Sequence, residues 1–116
     1  MHTAANIAVG IVALIHVYIV VLEMFLWERP TGLRTFGMDA DFAAATRVLA
    51  ANQGLYNGFL AAGLFWSLHT GDVHVQRFFL GCVVTAGVYG ALTANARILL
   101  IQAMPAVLAL TFLAFA

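Results

Sequence analysis

Residues 51–64 read Ala51-Asn52-Gln53-Gly54-Leu55-Tyr56-Asn57-Gly58-Phe59-Leu60-Ala61-Ala62-Gly63-Leu64. Asn52, Gln53, Tyr56 and Asn57 stand within six positions of an otherwise apolar stretch, beside Gly54, Gly58 and Gly63. In hydrocarbon an unpartnered amide costs several kcal/mol. The cluster therefore predicts a helix whose polar groups meet other helices or a water-filled cavity.

The rest of the chain makes hydrocarbon the expected surroundings. It has 116 residues, room for one domain, and is 64% hydrophobic and 9% charged with a mean hydropathy of +0.99. That is too little polar surface to cover a globule in water, so the composition reads as an integral membrane protein. Five arginines balance five acidic residues without forming a run, which leaves no basic field for nucleic acid. The single cysteine, Cys82, has no partner for an internal disulfide and reads as a small buried residue. The opening apolar run has no Lys or Arg before it, is too long for a signal-peptide core and carries His16 and Glu23. It is read as a retained spanning helix.

A crossing needs about 20 mostly apolar residues. Four segments meet that length, at about residues 4–27, 42–69, 77–96 and 98–116. The expected fold is all-α: a polytopic membrane protein, one domain of four transmembrane helices in an antiparallel bundle. The connector from Glu28 to Asp41, with Pro30, Gly32 and Gly37, reads as the only substantial loop, and Asp39 or Asp41 as the N-cap of the helix that follows. The last turn is placed at Asn95 to Arg97, where a charge meets an Asn able to adopt a left-handed conformation. Arg29, Arg34, Arg47 and Arg97 fall on one side and Arg77 on the other. The positive-inside rule then makes the 28–41 connector cytoplasmic and puts both termini outside a plasma (inner) membrane.

At 1.5 Å per residue, Glu23, Asn52 and Thr93 lie at a common depth of about 6 Å from the cytoplasmic boundary, with Gln102 close by. His16, Tyr56, Asn57 and Tyr89 form a second level roughly 12 to 17 Å in, and the outer leaflet is nearly bare of such groups. His16 and Glu23 share a helix face two turns apart, and Cys82, Tyr89 and Thr93 align on theirs. Depth and azimuth together predict a polar pocket open to the cytoplasm, with small-residue ridges such as Gly54-Gly58-Ala62 letting the helices close around it. Pro105 leaves the Ile101 carbonyl without its usual donor, one residue from Gln102. That is either an enlargement of the pocket or a tolerated kink.

Glu23 is the costliest residue of the set. It is read as a carboxyl able to give or take a proton, or else as structural glue through Asn52 or Gln102. His16 is its acid-base counterpart or a hydrogen-bonded core residue. Asn52, Gln53, Tyr56, Asn57, Tyr89, Thr93 and Gln102 are the expected ligand-binding groups, against an alternative in which they only bridge helices. No His stands three or four residues after a carboxylate, the order of a helical metal site, and His2, His69 and His74 fall at the opposite face, so neither metal nor cofactor is expected. Nucleophile motifs, phosphate loops and cysteine pairs are absent from the sequence.

Four blocks carry a resemblance: residues 15–27, IleHisValTyrIleValValLeuGluMetPheLeuTrp; 52–64, already quoted in large part; 86–93, AlaGlyValTyrGlyAlaLeuThr; and 101–107, IleGlnAlaMetProAlaVal. Through them the chain resembles the small integral membrane proteins of the domain of unknown function 1304 family. The resemblance implies a four-helix inner-membrane protein and brings no activity with it. Its motif positions include His16, Glu23, Asn52, Gln53, Tyr56, Asn57, Thr93, Gln102 and Pro105. Two functions remain open from the residues. One is a bilayer-embedded pocket that binds or transforms a small lipophilic molecule by proton transfer; the other is a transporter or channel subunit acting as a homo-oligomer. Whether the protein is an enzyme stays open.

Overall fold

A computed structural model describes residues 2–116, which are helical with no strand among them. The helices are α1 (His2–Met24), α2 (Pro30–Phe36), α3 (Ala40–Thr70), α4 (Val73–Thr93) and α5 (Met104–Ala114), with a π-helical segment, Leu99–Ala103, leading into α5. Two of them, α1 and α4, are long and apolar enough to cross a membrane, with mean hydropathies of 2.4 and 1.4 over their best windows. By the same test α3 falls short, because the amides at 52, 53 and 57 dilute its apolar run. α5 falls short in length.

The helix limits follow local chemistry. α1 ends where the Phe25 and Leu26 N–H groups both turn to the Val21 carbonyl, at 3.0 and 3.1 Å. The connector expected as a loop contains α2. Pro30 supplies the fixed φ of a first helical turn, and Gly37, at φ 65°, ends the helix in the left-handed region with its N–H on the Leu33 carbonyl. Asp39 rather than Asp41 begins α3, its Oδ1 accepting the Phe42 N–H at 2.7 Å. After Gly71 (φ 71°), Asp72 accepts from the His74 and Val75 N–H groups. This cap starts α4 at Val73, a turn earlier than the residue 77 expected from hydropathy alone.

The break after α4 lies at 94–96, but Asn95 is not left-handed, since no non-glycine residue among those described has positive φ. Asn95 acts through its side chain instead: Oδ1 accepts the Arg97 N–H at 2.9 Å, an Asx turn. The π-helical segment ends at Ala103, two residues before Pro105. The wider turn accommodates a residue that lacks an N–H and whose ring crowds the preceding turn.

The chain divides into two compact units. The major unit joins the residues up to Ile15 with Leu60–Ala116. Its core is built from Ala5, Val9, Val12 and Ala13 of α1, Leu64 of α3, Leu80 and Val83 of α4, and Ala106, Ala109 and Leu113 of α5. Small side chains permit close approach: a Cβ on Gly87 would come within 3.0 Å of the Ala103 backbone nitrogen. Ser67 and Gln76 are also buried here. The minor unit is His16–Phe59: the second half of α1, the turn, α2 and the first part of α3.

Candidate functional site in the minor unit

In α3 the buried positions of the minor unit are Ala43, Ala50, Gly54 and Asn57, seven, four and three residues apart, which places them on one side of the helix. Asn57 is therefore turned inward. On α1 the inward positions are His16, Ile19, Leu22 and Glu23. Gly54 brings the two helices close at this level, since a Cβ there would stand 3.1 Å from the Glu23 Cβ.

The Asn57 Nδ2 donates to the Glu23 Oε1 at 2.6 Å, with Glu23 only 8% and Asn57 6% exposed. The bond is short for an amide N–H on a carboxyl oxygen and fixes that oxygen's direction; the second oxygen remains for another partner. His16, wholly buried two turns earlier on α1, is also engaged in an interaction.

Trp27 closes this end. Its Nε1 donates to Thr46 Oγ1 at 3.1 Å, and that hydroxyl in turn donates to the Phe42 carbonyl at 2.7 Å. The indole also packs on Phe36 of α2, centroids 4.9 Å apart. α2 is held by Gly32, where a Cβ would run into the carbonyl oxygens of Leu26 and Trp27. The short helix thus fixes the ring from one side and α3 from the other.

These pieces enclose an open cleft of about 410 Å³ lined by Glu23, Met24, Phe25, Trp27, Glu28, Arg29, Arg47, Val48 and Ala51. Its size lies in the range of small-molecule sites, roughly 300–1,000 Å³. The charged residues are unevenly placed. Glu23 is buried, whereas Glu28, Arg29 and Arg47 are exposed, with Arg47 and Glu28 in a loose pair at 3.8 Å.

The remaining sequence-predicted residues have other settings. Asn52, Gln53 and Tyr56 occupy exposed faces of α3, Tyr56 meeting Phe59 edge to face. In the major unit, Tyr89 is 70% exposed, along a face of α4 shared with Cys82, which is half-buried rather than buried. Thr93 donates its hydroxyl to the Tyr89 carbonyl at 2.7 Å, a bond within its own helix. Gln102 lies half-buried and partnered in the π-helical segment. Residues 47, 48 and 51 were not singled out from the sequence as a lining. The signal was there in their spacing, one and four residues after Arg47, leading down α3 toward Gly54.

Residues 10–114 match the family described as Protein of unknown function (DUF1304). The chain belongs to that family. The chain is also similar to a protein of Lactococcus lactis subsp. lactis (strain IL1403) described as uncharacterized protein YpaA, 34% identical over 104 residues covering 86% of this chain and 87% of that relative. No solved structure matches this DUF1304 chain.

Proposed function

We propose that this DUF1304 protein is a four-crossing plasma-membrane protein whose minor-unit cleft binds, and by proton transfer transforms, a small lipophilic molecule. Membrane residence is supported by the exterior. Ile7, Leu14, Leu49, Phe59, Phe78, Leu92 and Leu108 are all more than half exposed, on four different helices. Only 22% of the apolar window of α4 is buried, whereas the core helix of a water-soluble protein would be mostly covered. Arginine placement supports a cytoplasmic connector at 28–41 with both termini outside.

The observation that carries the functional reading is the Glu23–Asn57 hydrogen bond beneath an open cleft. A carboxyl in hydrocarbon is expensive, and an ion-pair partner such as Arg would lower that expense more than a neutral amide does. An amide that fixes one oxygen and leaves the other available suits a group that must exchange hydrogen bonds or a proton with a guest. Glu23 is the acid or base, Asn57 its positioning residue and His16 the counterpart two turns along α1. The test is organic extraction of purified protein followed by mass spectrometry. The native chain should carry a stoichiometric lipophile, and Glu23→Gln should lose about tenfold of it, as removal of a charge-assisted hydrogen bond implies. Equal recovery from both would defeat the reading.

A second reading has its own support. Asn52 and Gln53 are exposed and, among the described residues, make no side-chain hydrogen bond, which in lipid favours a second copy as their partner. That is the homo-oligomer a small transporter or channel subunit requires. Cross-linking through Cys substituted at Asn52 should capture dimers in native membranes; monomers alone at every protein-to-lipid ratio would refute it.

A further inference from the structure

The cleft of the minor unit carries more charge information than the Glu23 reading uses. Its mouth holds Arg29, which begins α2, and Arg47, from the second turn of α3. Glu28 is the one acidic lining residue beside them. It reaches Arg47 only at 3.8 Å, beyond the length of a charge-assisted hydrogen bond, with both side chains well exposed. Among the described residues no carboxylate pairs with Arg29. Two cations from different elements against one loosely held anion leave the mouth net positive.

Below the mouth the lining changes character. Val48 and Ala51 follow Arg47 on α3, while Met24, Phe25 and Trp27 face the cleft from the other side. Gly54, where a Cβ would meet the Glu23 Cβ, lies seven positions after Arg47. At 1.5 Å per residue that is about 10 Å of helix. The order along the cleft is thus two guanidinium groups, an apolar sleeve and a buried carboxyl.

We infer that the molecule this cleft takes is an anionic amphiphile, a carboxylate or phosphate on a hydrocarbon body. The anion sits between Arg29 and Arg47, and a polar atom about 10 Å farther along the body reaches Glu23. The inference rests on the cleft reading given under Proposed function and adds the chemical class. Guanidinium groups favour carboxylate and phosphate because their N–H donors match two oxygens at once. The separation also keeps the anion away from the Glu23 carboxyl, which would otherwise repel it. Arg34 does not line the cleft, so the charge complementarity comes from Arg29 and Arg47 specifically.

The cleft holds its own reporter. Trp27 lines it, and the other tryptophan, Trp66, is exposed in the major unit. In a Trp66→Phe background reconstituted in neutral-lipid nanodiscs, Trp27 fluorescence is titrated with a brominated fatty acid and with the brominated alcohol of equal length. Inorganic phosphate and an anionic phospholipid serve as competitors. The acid should quench saturably at about tenfold lower concentration than the alcohol, and Arg29→Gln with Arg47→Gln should erase that difference while leaving alcohol binding intact. Competition by phosphate alone identifies a free anion as the group recognised, and competition by the phospholipid only identifies a headgroup; either supports the inference. Equal quenching by acid and alcohol, or a preference indifferent to the arginines, overturns it and leaves the Glu23 reading standing. Absence of saturable quenching by any probe overturns both.

Discussion

The two units differ in where their side-chain hydrogen bonds lead. In the major unit hydroxyls turn back on their own helices: Ser67 to the Leu64 carbonyl, Thr85 to Gly81, Thr93 to Tyr89 and Thr111 to Val107. In the minor unit Thr35 and Thr46 do the same, to the Thr31 and Phe42 carbonyls, but two other side chains reach across: the Asn57 amide to Glu23, 34 residues away, and the Trp27 indole to Thr46, 19 away. A hydroxyl satisfied within its own helix constrains nothing but that helix. A bond between helices fixes a relative position, and it needs a reason to be worth the desolvation of both partners. The contrast therefore locates the part of this molecule where geometry is being held for a purpose.

The sharpest way to break that contrast is at the seat of α2. Gly32→Ala would drive a methyl into the Leu26 and Trp27 carbonyls, which cannot move aside as a side chain can. Unfolding in mixed micelles should show a loss of about 3 kcal/mol, with a red-shifted Trp27 emission, since backbone overpacking lies at the top of the usual range. Next is Asn57→Ala, which leaves the Glu23 oxygen without its donor. About 1–2 kcal/mol should be lost, more than for an average interhelical bond in a membrane because the acceptor is a carboxyl. Smallest is Thr93→Val in the major unit, where an exposed hydroxyl merely returns to its own helix. Its effect should stay within about 0.5 kcal/mol, and a larger one would erase the distinction between the units.

Much of this was legible before any coordinates, and the limits have physical causes. Long apolar runs marked α1 and α4, and the expense of Glu23 in such a run was plain from its neighbours. The azimuth of the 52–57 cluster was not. At 3.6 residues per turn Asn52, Tyr56, Gln53 and Asn57 spread over an arc of about 140°, and only packing chooses which edge of that arc turns inward, here the Asn57 edge. The pattern Ala43, Ala50, Gly54, Asn57 was the available cue, since small residues mark the side of closest approach. α2 was hidden because seven residues are too few to display a period. Its signature lay instead in Pro30 at the start and Gly37 just past the end. A proline signals a disturbed helix, but whether the relief comes as a kink or as the wider turn over Leu99–Ala103 depends on neighbours, here the close approach of Gly87 to Ala103.

The most direct test of the account asks whether Glu23 touches what enters the cleft. A lipophilic carbodiimide, followed by peptide mass spectrometry, reads the reactivity of each carboxyl. Glu23 should be modified, and a saturating long-chain guest should slow that modification about tenfold while leaving exposed Asp41 and Asp72, which lie outside the cleft lining, unaffected, the ratio expected for a site mostly occupied. A Glu23 labelling rate indifferent to the guest would contradict the account.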